Sequence, residues 1–311
     1  MNIESNASIP GWSQHAPETD ITGLGTVGSG STMCPDKCVE GFVENEEEFK
    51  HIETILEGYG EYLSKEEVNE ASVSGTEAYA MSALQIYGYE SWMDSIKKGA
   101  ESAYNAIIAT LKKLKDFFFG DGEKRVEEAD KKAGDSLEAM GKLDLNAPVK
   151  DEAAAKNPLT FFKGIQESAE LEKVYEKYPA VKTAFEKIEG SVSRVKNSET
   201  VGQLGAVFQD MRKSASAAGA AVSSSLKKAL DSAEKKANEI RNPKGVPDDA
   251  TAEMKAAVKE EHKETVAEAR EETKESRILA SLQNKITTML NAISSNASSV
   301  KGETKESEFK G

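Results

Sequence analysis

The chain has 311 residues and a formal net charge of −14, with 30% charged and only 6% aromatic residues. This polar composition excludes a thick globular core and is typical of long helices that bury narrow apolar stripes. The charge is uneven, because residues 1–75 hold 15 acidic and 3 basic residues. Such a distribution indicates an N-terminal acidic segment that keeps the chain soluble or contacts other molecules.

Residues 1–44 are rich in Gly, Ser, Thr and Pro and show no sustained apolar period, which predicts a flexible acidic arm. The segment GLGTVGSG has the glycine spacing of a dinucleotide loop, but no strand pattern precedes it and no helix pattern follows. The two cysteines, Cys34 and Cys38, are too few for a disulfide framework, and we expect free thiols. The first residues lack a basic segment followed by an apolar one, so we expect no Sec signal peptide.

Residues 45–141 form the first predicted helical region, with an amphipathic helix over 91–119 and a charged helix over 123–141. Gly120 and Gly122 are predicted to end the first of these helices, and the short link indicates an antiparallel hairpin or an elbow. The apolar residues of 91–119 recur at steps of three or four. They form one candidate partner-packing face: Trp92, Ile96, Ala100, Ala103, Ile107, Leu111, Leu114 and Phe118.

The amphipathic helix could lie against its own core, another protein or a lipid surface. Its five lysines, Trp92 and three consecutive phenylalanines suit a membrane interface. Ala100 and Ala103 contribute little to burial in lipid but allow close helix packing, so we favour a protein-facing helix over membrane contact. Because three acidic residues offset the lysines, we expect no specific nucleic-acid recognition.

The second half of the chain is also predicted to be helical, divided at Pro179. Thr200 and Gln203 have the spacing of a capping box and predict the start of a long helix. The remaining boundaries are a linker over 142–158, a helical region over 159–241, a linker over 242–249, a long C-terminal helix over 250–294 and a polar tail over 295–311. The long helix carries a coiled-coil face at alternating steps of three and four: Val201, Leu204, Phe208, Met211, Ala215, Ala218 and Val222.

These patterns together predict an all-α protein of elongated helical hairpins or a bundle, with coiled-coil-like segments and a flexible N-terminal arm. No catalytic signature or cofactor motif is present, and the three histidines are too scattered for a metal site. His262 lies in EEHKE, half of a metalloprotease helix, but the second histidine is missing. Its highly charged segment predicts an exposed side chain, and we expect no enzymatic activity.

The order of segments over residues 46–141 resembles virion proteins of tailed bacteriophages. A short acidic helical region precedes SWMDSIKKGAESAYNAIIATLKKLKDFFFG, and the charged helix EKRVEEADKKAGDSLEAMG follows. The resemblance is to internal-head and related structural proteins of large myovirus-like phages. It implies a noncatalytic protein that is made in the host cytoplasm, located in the virion and packed against other virion proteins or copies of itself.

The resemblance also implies proteolytic processing, because prohead proteases of some such phages cut after Glu in Ile/Leu-x-Glu patterns before a small residue. ILEG offers Glu57 and Gly58, and VNEA offers the looser match Glu70 and Ala71. Cleavage at either position would remove most of the acidity. Two other functional classes stay open: a membrane-acting helical protein, either a pore-forming toxin or an ejected channel component, and a cytoplasmic coiled-coil adaptor.

Overall fold

Helices make up 89% of the part of the chain that the structure describes, and this part contains no strand. The all-α prediction is therefore confirmed. The chain separates into two compact units, Met1–Val39 and Glu40–Gly311, and the packing described below is that of the second unit. The computed structural model describes residues 36–65, 75–86, 92–149, 169–195, 197–242 and 250–300.

The helices follow one another in the order of the predicted apolar stripes, as the 3.6-residue period indicates. Their bounds are α1 Asp36–Ser64, α2 Gly75–Ala83, α3 Trp92–Asp116, a π-helical segment Phe117–Gly122, α4 Glu123–Met140, α5 Ala169–Lys177, α6 Pro179–Val195, α7 Val201–Arg241 and α8 Ala252–Ser299.

The long helices α7 and α8 form the central pair of the fold. They run antiparallel, since Lys236 near the end of α7 pairs with Glu268 early in α8 at 2.6 Å, and Gly219 faces Ile286 further along. The interior face of α7 is apolar along its whole length. Its fully buried large side chains include Leu204, Phe208, Leu226, Leu230 and Ile240.

The helices α3 and α4 continue into each other through the π-helical segment, so the predicted helix end at Gly120 and Gly122 is wrong. Gly122 has φ −65° and ψ −46°, and the amide of Glu123 donates to the carbonyl of Phe118, five residues back. Glycine only weakens a helix, and packing against α7 overrides that preference. No hairpin forms.

The continuous rod made of α3, the π-helical segment and α4 runs antiparallel to α7. Arg241 lies 4.7 Å from the ring centroid of Tyr104 at one end, and Glu123 accepts a 2.6 Å hydrogen bond from Ser223 in the middle. The π-helical segment lies between these two contacts along the chain, and the antiparallel alignment with α7 is kept on both sides of it. One continuous helical rod therefore replaces the two helices, over 91–119 and 123–141, that the sequence predicted to be joined by a short link.

Two further boundaries differ from the prediction. The predicted arm over 1–44 ends too late, because α1 begins at Asp36. The predicted tail begins too early, because α8 extends to Ser299. The reason in α8 is tertiary: Ala297 is buried, and Ser298 donates to Ser136 of α4 at 3.1 Å.

The start of α7 is fixed as predicted. The hydroxyl of Thr200 accepts from the amide of Gln203 as in a capping box, and the Gln203 side chain accepts from the amide of Glu199, one residue before the N-cap. Residues 142–149 of the predicted linker dock here, since the amide of Val201 donates to the carbonyl of Ala147. The predicted break at Pro179 is also confirmed, as α6 begins there. Residues 150–158 and 243–249 of the two linkers lie outside the described residues.

Candidate functional site

The predicted partner-packing face of α3 is used inside the chain. Trp92 and Ile96 have side chains outside the described set. The other six residues are buried in the common core, each no more than 2% exposed: Ala100, Ala103, Ile107, Leu111, Leu114 and Phe118. Because α3 packs on α7, this face is not open to another protein, which corrects its assignment as a partner-binding surface.

The predicted coiled-coil face of α7 is buried as well. All seven residues are at most 1% exposed: Val201, Leu204, Phe208, Met211, Ala215, Ala218 and Val222. The buried surface is wider than a two-helix seam, since Val207, Gly219 and Ser225 are also buried. The helix is therefore enclosed by α3, α4, α6 and α8 and does not form a separate coiled coil.

The stronger of the two candidate processing sites lies in the middle of α1. Glu57 pairs with Arg270 of α8 at 2.6 Å, and Gly58 is buried against α2. A Cβ atom at Gly58 would lie 2.2 Å from the carbonyl oxygen of Thr76, so the two backbones nearly touch. In this fold the peptide bond after Glu57 is helical and covered. Glu70 and Ala71 lie outside the described residues.

His262 is buried, which corrects the expectation of an exposed histidine. Only 4% of the residue is exposed, and its Nε2 atom lies 3.1 Å from the hydroxyl of Tyr59 on α1. Burial lowers the pKa of His262 to about 4, so the ring is neutral at pH 7. The sequence offered a weak signal: His262, Val266, Ala269, Thr273 and Ser276 recur at helical spacing and are all buried.

Tyr59 is the other half of this contact and is enclosed on two sides. Its ring packs against α3 at Gly99, where a Cβ atom would come within 2.8 Å of the ring. Burial, with a smaller contribution from Tyr62, raises the pKa of Tyr59 well above its ordinary value, so the hydroxyl stays neutral. A neutral imidazole has one N–H donor and one acceptor nitrogen, so the hydroxyl and Nε2 of His262 share a hydrogen bond in either tautomer.

Polar interactions extend the contact between α1 and α8 on either side of His262, with two charged pairs on its C-terminal side. Arg277 donates to Glu53 at 2.7 Å, and Arg270 pairs with Glu57 at 2.6 Å. The ammonium group of Lys259 donates to the carbonyl of Lys65 at the C-terminal end of α1. We call the contact formed by Glu53, Glu57 and Tyr59 of α1 with His262, Arg270 and Arg277 of α8 the polar seam.

Burial raises the pKa of Glu53, although the hydrogen bond and the charge of Arg277 act in the opposite direction. Its carboxylate is the most shielded of the acidic groups in the polar seam, with the side chain 13% exposed, against 41% for Glu57. Removing either partner of such a shielded pair leaves an uncompensated charge, which costs more than the intact pair contributes.

A second polar network connects α4 with α7. The guanidinium of Arg212 donates twice to Asp130, at 3.0 and 2.7 Å, and Ser216 donates to the same carboxylate at 2.5 Å. Burial raises the pKa of Asp130, but the hydrogen bonds from Arg212 and Ser216 outweigh it, and the pKa lies below the ordinary value. Gly134 makes room for the guanidinium.

The π-helical segment faces Gln283 of α8. This side chain is 3% exposed, and neither its amide oxygen nor its amide nitrogen has a hydrogen-bond partner among the described residues. A Cβ atom at Gly122 would lie 3.5 Å from the amide nitrogen. The widened helix therefore passes close to an unsatisfied polar side chain, and this arrangement is a cost that the surrounding apolar packing offsets.

Two open grooves lie on the surface of the described helices. One, between α7 and α8, is lined by charged and polar side chains that include Lys235, Glu239, Glu261 and His262. The other lies between the end of α4 and the start of α7, beside Arg212. Among the described residues, no group of His, Cys, Asp and Glu side chains is arranged to hold a metal ion.

Comparisons with protein-family models, with curated proteins and with solved structures give no match to this chain. The arguments for function therefore come from the residues and their packing. Among the described helices, none is long and apolar enough to cross a membrane.

Proposed function

We propose that this chain is a noncatalytic structural protein of a tailed-bacteriophage virion, associated with the capsid or contained in the head, that works by helix packing. The observation that supports it most is that buried and partly buried polar groups connect neighbouring helices. Tyr59 with His262, Glu53 with Arg277 and Asp130 with Arg212 each join two helices. Each pair fixes the position of one helix on another.

This proposal changes the surface through which partners would bind. The apolar faces of α3 and α7 are filled by the chain's own helices, and large exposed apolar side chains are few among the described residues: Tyr79, Leu145 and Met254. Contacts with other virion proteins or with a second copy would therefore use the charged outward faces of the helices. Such contacts are sensitive to salt.

The membrane-acting alternative is less well supported by the packing. Its lipid-binding face would be the apolar stripe of α3, and that stripe is buried under α7. Lipid binding would require the bundle to open. A liposome-leakage assay on the folded chain separates the two functions, because a virion structural protein should cause no more leakage than an unrelated helical protein of the same charge.

The proposed function is tested by mass spectrometry of purified phage particles from the source of the gene. We expect the chain in mature particles at many copies per particle, in a constant ratio to the major capsid protein across the gradient peak. Its absence from particles, with the protein recovered only from the host lysate, would overturn the proposal. The same spectra show whether peptides before Glu57 persist, which tests processing separately.

A further inference from the structure

We propose that the polar seam is an acid-sensitive latch that holds α1 on α8 at neutral pH and releases it at mildly acidic pH, while α7 and α8 stay paired. This inference goes beyond the proposed function. It rests on the position of His262, a buried titratable side chain at the contact between two helices, whose hydrogen bond crosses that contact to Tyr59.

The surroundings of His262 are suited to a neutral ring and poorly suited to a cation. From α1 it meets the hydroxyl of Tyr59, which is neutral. From α7, the groove presents Lys235 and Glu239, and α8 itself presents Glu261. The two glutamates would favour a charged imidazole, but Glu239 is already paired with Lys236 at 2.8 Å, and His262 borders the same groove with only 4% of the residue exposed.

The half of α8 that carries the polar seam is the weaker half for helix packing. Its interior positions there are small or polar, with His262, Val266, Ala269, Thr273 and Ser276 facing inward. The C-terminal half instead presents large apolar groups to α4 and α7. These are Ile278, Leu279, Leu282, Ile286, Met289, Leu290 and Ile293. Local opening is expected where α8 contributes the least apolar surface, which is the contact at the polar seam.

The sign of the pH effect follows from the direction of the shift. Burial lowers the pKa of His262 to about 4, against an ordinary value of about 6.5 once the ring is exposed. The contribution of the neutral His262 ring to the docking of α1 on α8 is therefore complete above pH 6.5 and is lost as the pH falls toward 4. Glu53 acts in the opposite direction, because its raised pKa means that protonation favours the buried state. His262 is thus the group that makes the contact acid-sensitive.

Hydrogen–deuterium exchange of the full chain at pH 7 and pH 5, corrected for the intrinsic exchange rates, tests the proposal. With one histidine of these properties, the opening equilibrium of α1 should rise about 20-fold between the two pH values. Peptides from α7 should keep their protection. Equal loss of protection in α1 and α7, or no loss in α1, would overturn the proposal.

A matched set of variants assigns the effect to His262. In His262→Gln a neutral amide replaces the ring, so protection of α1 should become nearly independent of pH. His51 lies on the same helix as Tyr59, but it is exposed and forms a hydrogen bond with Tyr79. The His51→Gln variant should therefore keep the change of about 20-fold in the opening of α1. If His262→Gln does not fold, the comparison of α1 with α7 in His51→Gln still decides the question. An unchanged pH response in a folded His262→Gln variant would contradict the proposal.

Discussion

At the residue scale, the position of the Arg212 side chain depends on a glycine, Gly134, which has no side chain to occupy the same space. The guanidinium occupies the space that a Cβ atom at position 134 would need, at 2.8 Å from its central carbon. From there it reaches both oxygens of Asp130, a geometry that only a planar fork can make. Glycine in the middle of α4 weakens the helix intrinsically, and the partly buried network offsets that loss.

We therefore expect Gly134→Ala to push Arg212 away from Asp130. The helix would gain about 1 kcal/mol from alanine, and the charged hydrogen bonds would lose a similar amount, so net stability changes little. A double-mutant cycle between Asp130→Asn and Arg212→Gln measures the loss of the Asp130–Arg212 interaction, which the net stability does not show. Its coupling energy should be about 1–2 kcal/mol in the wild type and near zero in the Gly134→Ala background. An unchanged coupling energy would show that the ion pair does not depend on the glycine.

At the scale of elements, two glycines of α1 that look alike in the sequence have different roles. Gly58 touches the backbone of Thr76 in α2, whereas the nearest atom to a Cβ at Gly60 would be the Val266 methyl group at 4.0 Å. The first contact cannot relax by moving a flexible side chain. The second is an ordinary van der Waals distance.

These contacts give opposite expectations for one substitution. Gly58→Ala should lower the free energy of unfolding by at least about 2 kcal/mol, because α1 and α2 must separate. Gly60→Ala should be neutral or raise it by up to about 1 kcal/mol through helix propensity. Urea denaturation followed by circular dichroism measures both. Similar values for the two variants would mean that α2 does not pack on α1 as described.

The rod of α3, the π-helical segment and α4 has its own matched pair of substitutions. Ile107 is 1% exposed in the core, so Ile107→Asp should cost about 4 kcal/mol or prevent folding. Lys113 forms a largely exposed pair with Glu48 at 2.9 Å, so Lys113→Ala should cost less than about 1 kcal/mol. Thermal denaturation separates these outcomes, and a stable Ile107→Asp variant would place α3 outside the core.

Lys113 also has a measurable effect on its partner. Its hydrogen bond is the largest contribution that lowers the pKa of Glu48, with burial acting against it. The stability that this carboxylate contributes is present above its ordinary pKa and is lost as the pH falls through the lowered value. The lysine therefore has a small stabilising role at neutral pH, and its loss is expected to be mild.

At the scale of the whole molecule, the described helices pack their apolar faces on one another and leave most of their charged side chains at the surface. This arrangement suits a protein that docks through its surface, and it leaves no free apolar stripe of the kind that the sequence predicted for a partner on α3. The proposed virion role and the acid-sensitive latch place different demands on the fold. The first needs stable helix positions, and the second needs one helix, α1, to be held less strongly than the others.

The sequence by itself determined which residues are buried along α3 and α7, because a helix fixes a side chain's direction by its position in the 3.6-residue period. It also determined the capped start of α7 at Thr200 and the break at Pro179, since both signals are local. These features needed no knowledge of what lies opposite each helix.

Only the tertiary structure decided the features that depend on a neighbour. The rod continues through Gly120 because α7 packs along it, and α8 extends to Ser299 because Ser136 of α4 binds its last turn. His262 is buried because α1 lies over a segment whose composition alone looked solvated. When charged residues occupy three sides of a helix, the composition does not show a narrow buried stripe on the fourth side. Whether that stripe is buried depends on the helix that packs over it.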